Sequence, residues 1–287
     1  MKHQFLIHSL FIVLSITGNL LCNTTIHDIK QETYTHIECT VHPITEKLAR
    51  DSHIHIPGPK ISSRMRSGTV VESSTNWSGY VAVSNINNPA KNSVSAVTGS
   101  WVVPSIIASR NNSYSAFWIG IDGYTSPTVE QLGTAHDWSS GALESYAWFE
   151  MYPGGSYSIG GFPLRAGDII SATIVYSGNG IFTMHLYNDT EQKYVSIPTQ
   201  YTTLRTALRS SAEWIVEAPY YNGILPLANF GVGHLNNCTA TINGVTNGIG
   251  LFPNIALTMV TPKGGLKAVT SPLLPDKKSF FVTWKGQ

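Results

Sequence analysis

Residues 211–219 read SAEWIVEAP. Side chains of a strand alternate between faces, so Glu213, Ile215 and Glu217 share one face while Trp214 and Val216 take the other. A carboxylate in such apolar company is costly to bury unless it is paired, hydrogen-bonded or used. The same period of two runs through SGYVAVS, SVSAVTGSWVVP, SAFWIGIDG, SYAWFEMYP, DIISATIVYS, IFTMHLYND, IALTMVT and SFFVTW, with Gly, Asn, Ser and Pro between the runs. One short stretch, residues 202–209, reads as a helical turn. Many short strands separated by turn signals predict an all-β chain whose main part is one antiparallel sandwich or barrel.

The alternation also assigns faces. In AFWIGIDG, the residues Phe117, Ile119 and Ile121 form an apolar face and leave Trp118, Gly120 and Asp122 on the other. In YAWFEMYP, Ala147, Phe149 and Met151 oppose Tyr146, Trp148, Glu150 and Tyr152. Three strands therefore carry carboxylates on one face, two of them beside aromatic rings. Such a surface suits an extended polymer, peptide or glycan; the plainer expectation is a solvated face with amphipathic aromatics.

The N-terminal part has a different character. Lys2 and His3 precede an apolar run at residues 5–21, shorter and less pure than a membrane span. Residues 1–22 read as a secretory signal cleaved near Cys22. Residues 23–72 hold six of the seventeen carboxylates and five of the ten histidines. They end in HIPGPKISSRMRSG, where Pro57, Gly58 and Pro59 interrupt regular structure and Arg64 and Arg66 offer a processing point. This stretch reads as a pro-segment and linker ahead of a domain at 73–287. That domain carries eleven acidic and eleven basic residues, with no basic stripe for nucleic acid and no further membrane-spanning run. Of Cys22, Cys39 and Cys238 only the last lies in the domain, so no disulfide closes within it. Its surroundings, LNNCTATING, read as a turn entering a strand. A secreted or periplasmic monomer is expected, with no nucleic-acid partner and no lasting membrane association.

Common hydrolase signatures are missing: neither G-x-S-x-G nor H-E-x-x-H occurs, and His136, His185 and His234 stand in unrelated contexts. Carboxylates remain. Retaining glycosidases hold two carboxyl groups about 5 Å apart and inverting ones about 6.5–9.5 Å. Glu213 and Glu217 on one strand would stand about 13 Å apart, so they are not such a pair by themselves. Glu150 on another strand would have to partner one of them. A β-sandwich glycoside hydrolase and a non-catalytic glycan- or peptide-binding module therefore stand as alternatives.

TNWSGYV, FWIGIDG, VEQLG, YAWFEMYP and AEWIVE, in this order, resemble motifs of the glutamic peptidases called eqolisins. The resemblance spans residues 76–284. It implies a lectin-like β-sandwich of two antiparallel sheets, made with a signal and a pro-segment, and a secreted, acid-active endopeptidase insensitive to pepstatin. By motif position it also implies a catalytic dyad of Gln131 and Glu217, with Trp118, Asp122, Glu150, Glu213 and Asp137 binding substrate or supporting the dyad. For Asp137 the spacing from Gln131 is longer than the family's. An ionised Glu217 takes a proton from the attacking water and returns it to the leaving amine, while the Gln131 amide orients that water and donates to the oxyanion. The reading requires no metal, no cofactor and no covalent intermediate. It expects polypeptide substrates and the chain's own pro-segment as inhibitor.

Overall fold

The computed structural model describes residues 33–44, 56–58, 63–64, 69–200 and 207–287. The expected signal lies outside the described residues. So do residues 202–206 of the expected helical turn, and residues 207–209 have no regular structure. The strands in chain order are β1 (Thr35–His36), β2 (Thr40–Pro43), β3 (Ser63–Arg64), β4 (Val70–Ser74), β5 (Trp77–Val83), β6 (Val94–Val102), β7 (Ser113–Asp122), β8 (Val129–Ser139), β9 (Ala142–Tyr152) and β10 (Ser156–Gly160). They continue with β11 (Ile169–Gly178), β12 (Ile181–Asn188), β13 (Lys193–Gln200), β14 (Ser211–Glu217), β15 (Val232–Ile242), β16 (Val245–Gly248), β17 (Asn254–Val260), β18 (Leu266–Thr270) and β19 (Phe280–Trp284). All nine alternating runs named above are strands. A 3₁₀ turn covers Ile249–Leu251.

The strands form two layers. One runs β2-β10-β9-β8-β7-β14-β5-β17-β4-β3, the other β19-β15-β6-β11-β12-β13-β1. Pairing is antiparallel except at β1–β13 and β4–β17. The β17–β18 hairpin, continued by β18–β19, joins the layers into one hydrogen-bonded network folded over on itself. Between them lies the main core, with Phe117, Ile119, Leu132, Phe149 and Trp214 from the first layer meeting Trp101, Ile174, Leu186 and Phe280 from the second. Two indoles cross the gap. Trp214 Nε1 donates to the Thr98 carbonyl at 2.8 Å, and Trp101 Nε1 donates to Thr134 Oγ1 at 2.9 Å. Gly99 leaves room for the first, since a Cβ there would stand 2.8 Å from the Trp214 ring.

The outer face of the first layer is not a solvated face. Trp77, Trp118, Trp148, Ile215 and Leu257 form a second buried cluster there, with Ile44 of the N-terminal segment packed against it. Strands β7 and β14 are therefore enclosed on both sides, which is why their alternation pairs apolar residues with aromatics and carboxylates rather than with solvated polar groups.

The LNNCTATING stretch is not a turn before a strand but a bulge inside β15. The register shifts between Asn236 and Thr239, and Asn237 takes a left-handed φ of 51°. Cys238 is fully buried beside it, and burial pushes its thiol well above the ordinary value, so it is no nucleophile.

At Gly133 a Cβ would lie 2.3 Å from the Phe117 carbonyl and 2.5 Å from Trp118 Cβ. Gly133→Ala should therefore destabilise the domain by about 1–3 kcal/mol, the usual cost of overpacking. Thermal unfolding should show a melting temperature lower by several degrees; an unchanged midpoint would mean that β7 and β8 separate there without cost.

Candidate active site

Three neighbouring strands, β14, β7 and β8, with β9 beyond, build the polar part of the outer face. Cross-strand register places Glu213 opposite Gly120, Gly120 opposite Gln131, and Gln131 opposite Glu150. One row thus holds both acidic groups and the glutamine, opened in the middle by a glycine. Two strand spacings set Glu213 and Gln131 about 10 Å apart at Cα. Glu217 lies four residues further along β14, opposite Ala116. Trp118, between the two rows, spans the distance with its ring.

Each side chain is held differently. Glu217 is fully buried and faces two N–H donors: Trp118 Nε1 donates to Oε2 at 2.9 Å, and Asn76 Nδ2 donates to Oε1 at 3.3 Å. Trp118 packs edge-to-face on Trp77 with centroids 4.9 Å apart, and Gly133 accommodates its Cβ. Gln131 Nε2 donates to Glu150 Oε2 at 2.6 Å, while Ser156 Oγ donates to Glu150 Oε1 at 2.9 Å. Glu150 therefore fixes the direction of the glutamine amide. Gln131 Oε1 is buried without a hydrogen bond to the described residues.

Glu213 has a different environment. It is fully buried, and neither oxygen makes a hydrogen bond of good geometry to the described residues. Burial raises its carboxyl well above the ordinary 4.5; nearby Ser211 opposes this weakly, and the charges of Asp122 and Glu130 add to it. Burial thus favours the protonated form of Glu213 more than that of an ordinary carboxylate.

Asp122 ends β7 at a left-handed φ of 70° and turns its carboxylate to the start of β14. It accepts from the backbone N–H of Arg209 and Ser210 and from Ser210 Oγ. Burial raises its carboxyl and these hydrogen bonds offset part of the rise. Its visible task is to anchor the chain entering β14. Asp137 accepts from Tyr146 Oη at 3.1 Å. Six residues along β8 separate it from Gln131, about 20 Å of strand, so the structure does not bring these two together. Two partners escaped the sequence reading. Asn76 lies inside the TNWSGYV motif, which gives it no separate signal, and Ser156 has no sequence signal.

The profile of the family described as Peptidase A4 family matches residues 75–266. Scytalidopepsin B of Scytalidium lignicola is 27% identical over 143 residues, which cover 50% of this chain and 51% of that protein. The chain thus spans about half the length of that curated relative. A crystal structure of scytalido-glutamic peptidase with a transition state analog inhibitor superposes with a TM-score of 0.63 at 20% identity, over 74% of this chain and 98% of the other. Aspergilloglutamic peptidase from Aspergillus niger gives 0.54 at 25% identity, over 60% and 99%. These likenesses agree with the two-layer β fold described above.

The Glu213 environment carries a pH signature. Its folded value is raised, so its contribution to stability is fully present below the ordinary 4.5 and is lost as pH rises towards the folded value. Asp122 acts in the same direction. Glu213→Gln should leave stability near pH 4 little changed and exceed the parent at pH 7, read from urea unfolding across that range. Parallel stability curves for the two proteins would show that Glu213 titrates normally.

Proposed function

The chain belongs to the Peptidase A4 family, and from that premise we propose that it is a secreted acid endopeptidase of the glutamic type, with Glu217 and Gln131 as its dyad. The observation that carries this reading is the unequal treatment of the two glutamates of AEWIVE. Glu217 faces two N–H donors, the arrangement that suits a carboxylate acting as base. Glu213 has none and keeps its proton. A water attacks the scissile carbonyl as Glu217 takes its proton. The Gln131 amide, oriented by Glu150, donates to the developing oxyanion; Glu217 then passes the proton to the leaving nitrogen as the C–N bond breaks. Trp118 positions Glu217. Glu213 supports the neighbouring row as a neutral acid, and Asp122 supports it through the entry to β14. A direct role for Asp137 has no geometric support.

The pro-segment reading extends this. Gln131, Glu217, Trp118 and Glu150 are all buried in the unprocessed chain. Described residues of the N-terminal segment add β1 and β2 to β13 and β10, and Ile56 lies against the strand leading to Asn76. The segment blocks the site until removed, and residues 1–22 direct export.

Denatured globin or casein at about pH 3–4, with and without pepstatin, tests the activity; cleavage is expected in both. Glu217→Gln should lower turnover by about 10²–10⁴-fold and Gln131→Ala by about 10²–10³-fold, with Glu213→Gln doing less. All three should first be shown to fold. Near-normal turnover in Glu217→Gln together with a loss in Glu213→Gln would mean that the other carboxylate is the base. Persistence of activity in both would end the glutamate-dyad reading.

A further inference from the structure

We propose that Asn76 is a positioning residue that couples docking of a peptide backbone to the Glu217 carboxylate; this rests on the dyad reading above. Asn76 is fully buried between β4 and β5. Its amide has two ends with two tasks. Nδ2 donates to Glu217 Oε1 at 3.3 Å, and Oδ1 accepts the backbone N–H of Ile56 at 2.9 Å and lies 3.1 Å from Ser74 Oγ. Turning the amide over would aim N–H at N–H on one side and oxygen at oxygen on the other, so the partners lock its direction. The Asn76 carbonyl also accepts Ala218 N–H at 2.8 Å, which ties it to the residue following Glu217.

The Ile56 contact is one rung of a ladder. Thr75 N–H donates to the Ile56 carbonyl at 2.9 Å, Ser74 Oγ lies 3.0 Å from that carbonyl, and Gly58 N–H donates to the Ser73 carbonyl at 3.0 Å. Pro57 pairs with Ser74 in an antiparallel bridge that needs no N–H from it. Residues 56–58 are thus held through their backbone as an added strand, the way an extended peptide is recognised at a sheet. Position 58 also restricts the side chain. A Cβ at Gly58 would lie 2.7 Å from Ser73 Oγ and 3.0 Å from Val260 Cγ2. The ligand class is therefore an extended polypeptide whose N–H docks on Asn76 Oδ1, with a glycine two residues later. In the unprocessed chain Ile56 fills that place, and in the processed enzyme the substrate backbone takes it.

Asn76→Asp keeps an acceptor for the docked N–H and removes the donor to Glu217, whereas Asn76→Ala removes both. Two readouts separate them. In the full-length chain carrying Glu217→Gln, amide exchange at Ile56 should stay protected with Asn76→Asp and accelerate with Asn76→Ala. In the processed enzyme, assayed at the upper end of its active pH range, Asn76→Asp should lower kcat by about 10–10²-fold, as for loss of a hydrogen bond to a charged group, with KM nearly unchanged. Asn76→Ala should lower kcat and raise KM together. Should Asn76→Ala fail to fold, the Asn76→Asp pair of results still decides. Unchanged kcat in Asn76→Asp, or lost protection of Ile56 in it, overturns the proposal. If the parent cleaves no peptide, the peptidase reading falls while the exchange data still judge the docking contact.

Discussion

The Trp118 indole needs room, and the candidate site depends on the two glycines that provide it. A side chain at Gly133 would strike the backbone of β7, and one at Gly120 would come within 2.8 Å of the Trp118 ring. With both absent, the ring packs edge-to-face with Trp77 and brings Nε1 to Glu217. The face that carries chemistry is therefore shaped by the lack of side chains at two positions as much as by the groups that react. Tight packing makes such a site rigid, because neighbouring atoms have nowhere to yield.

Enclosure on both faces has a second consequence. Every buried carboxyl must find donors or hold its proton, since an unpaired charge is too costly in that setting. Four acidic groups near one another resolve this in different ways. Glu217 is met by an indole and an amide, Glu150 by a glutamine and a serine, and Asp122 by two backbone N–H groups and a hydroxyl. Glu213 stays neutral. Similar chemical groups are thus held in four different ways by their surroundings alone. The layers' outer strands are managed as well: β1 and β2, from the N-terminal part of the chain, pair with β13 and β10, strands that would otherwise present open edges.

Much of this was legible beforehand. Alternation located nine strands and separated Ile119 from Trp118 and Trp214 from Glu213 correctly, because a pleated strand imposes a period of two whatever it packs against. It did not mark β8 as a strand, although β8 carries Gln131. VEQLGTAHDWS places Glu130, Gln131, Thr134, His136 and Asp137 on both faces, and a strand buried on both sides loses the polar–apolar contrast on which the pattern relies. The bulge at Asn237 was legible only as a turn, since asparagine in a left-handed conformation serves either.

By itself, then, the sequence determined the all-β architecture, the face each residue of β7, β9 and β14 takes, and the order of motifs that named two glutamates and a glutamine. Which glutamate acquires donors was decided only by the tertiary structure. Trp118 and Asn76 stand 99 and 141 residues before Glu217 in the chain, and they meet it because β5 and β7 flank β14. Hydrogen bonds act over about 3 Å, so partners so distant in sequence are invisible to any local pattern until the sheet has ordered its strands.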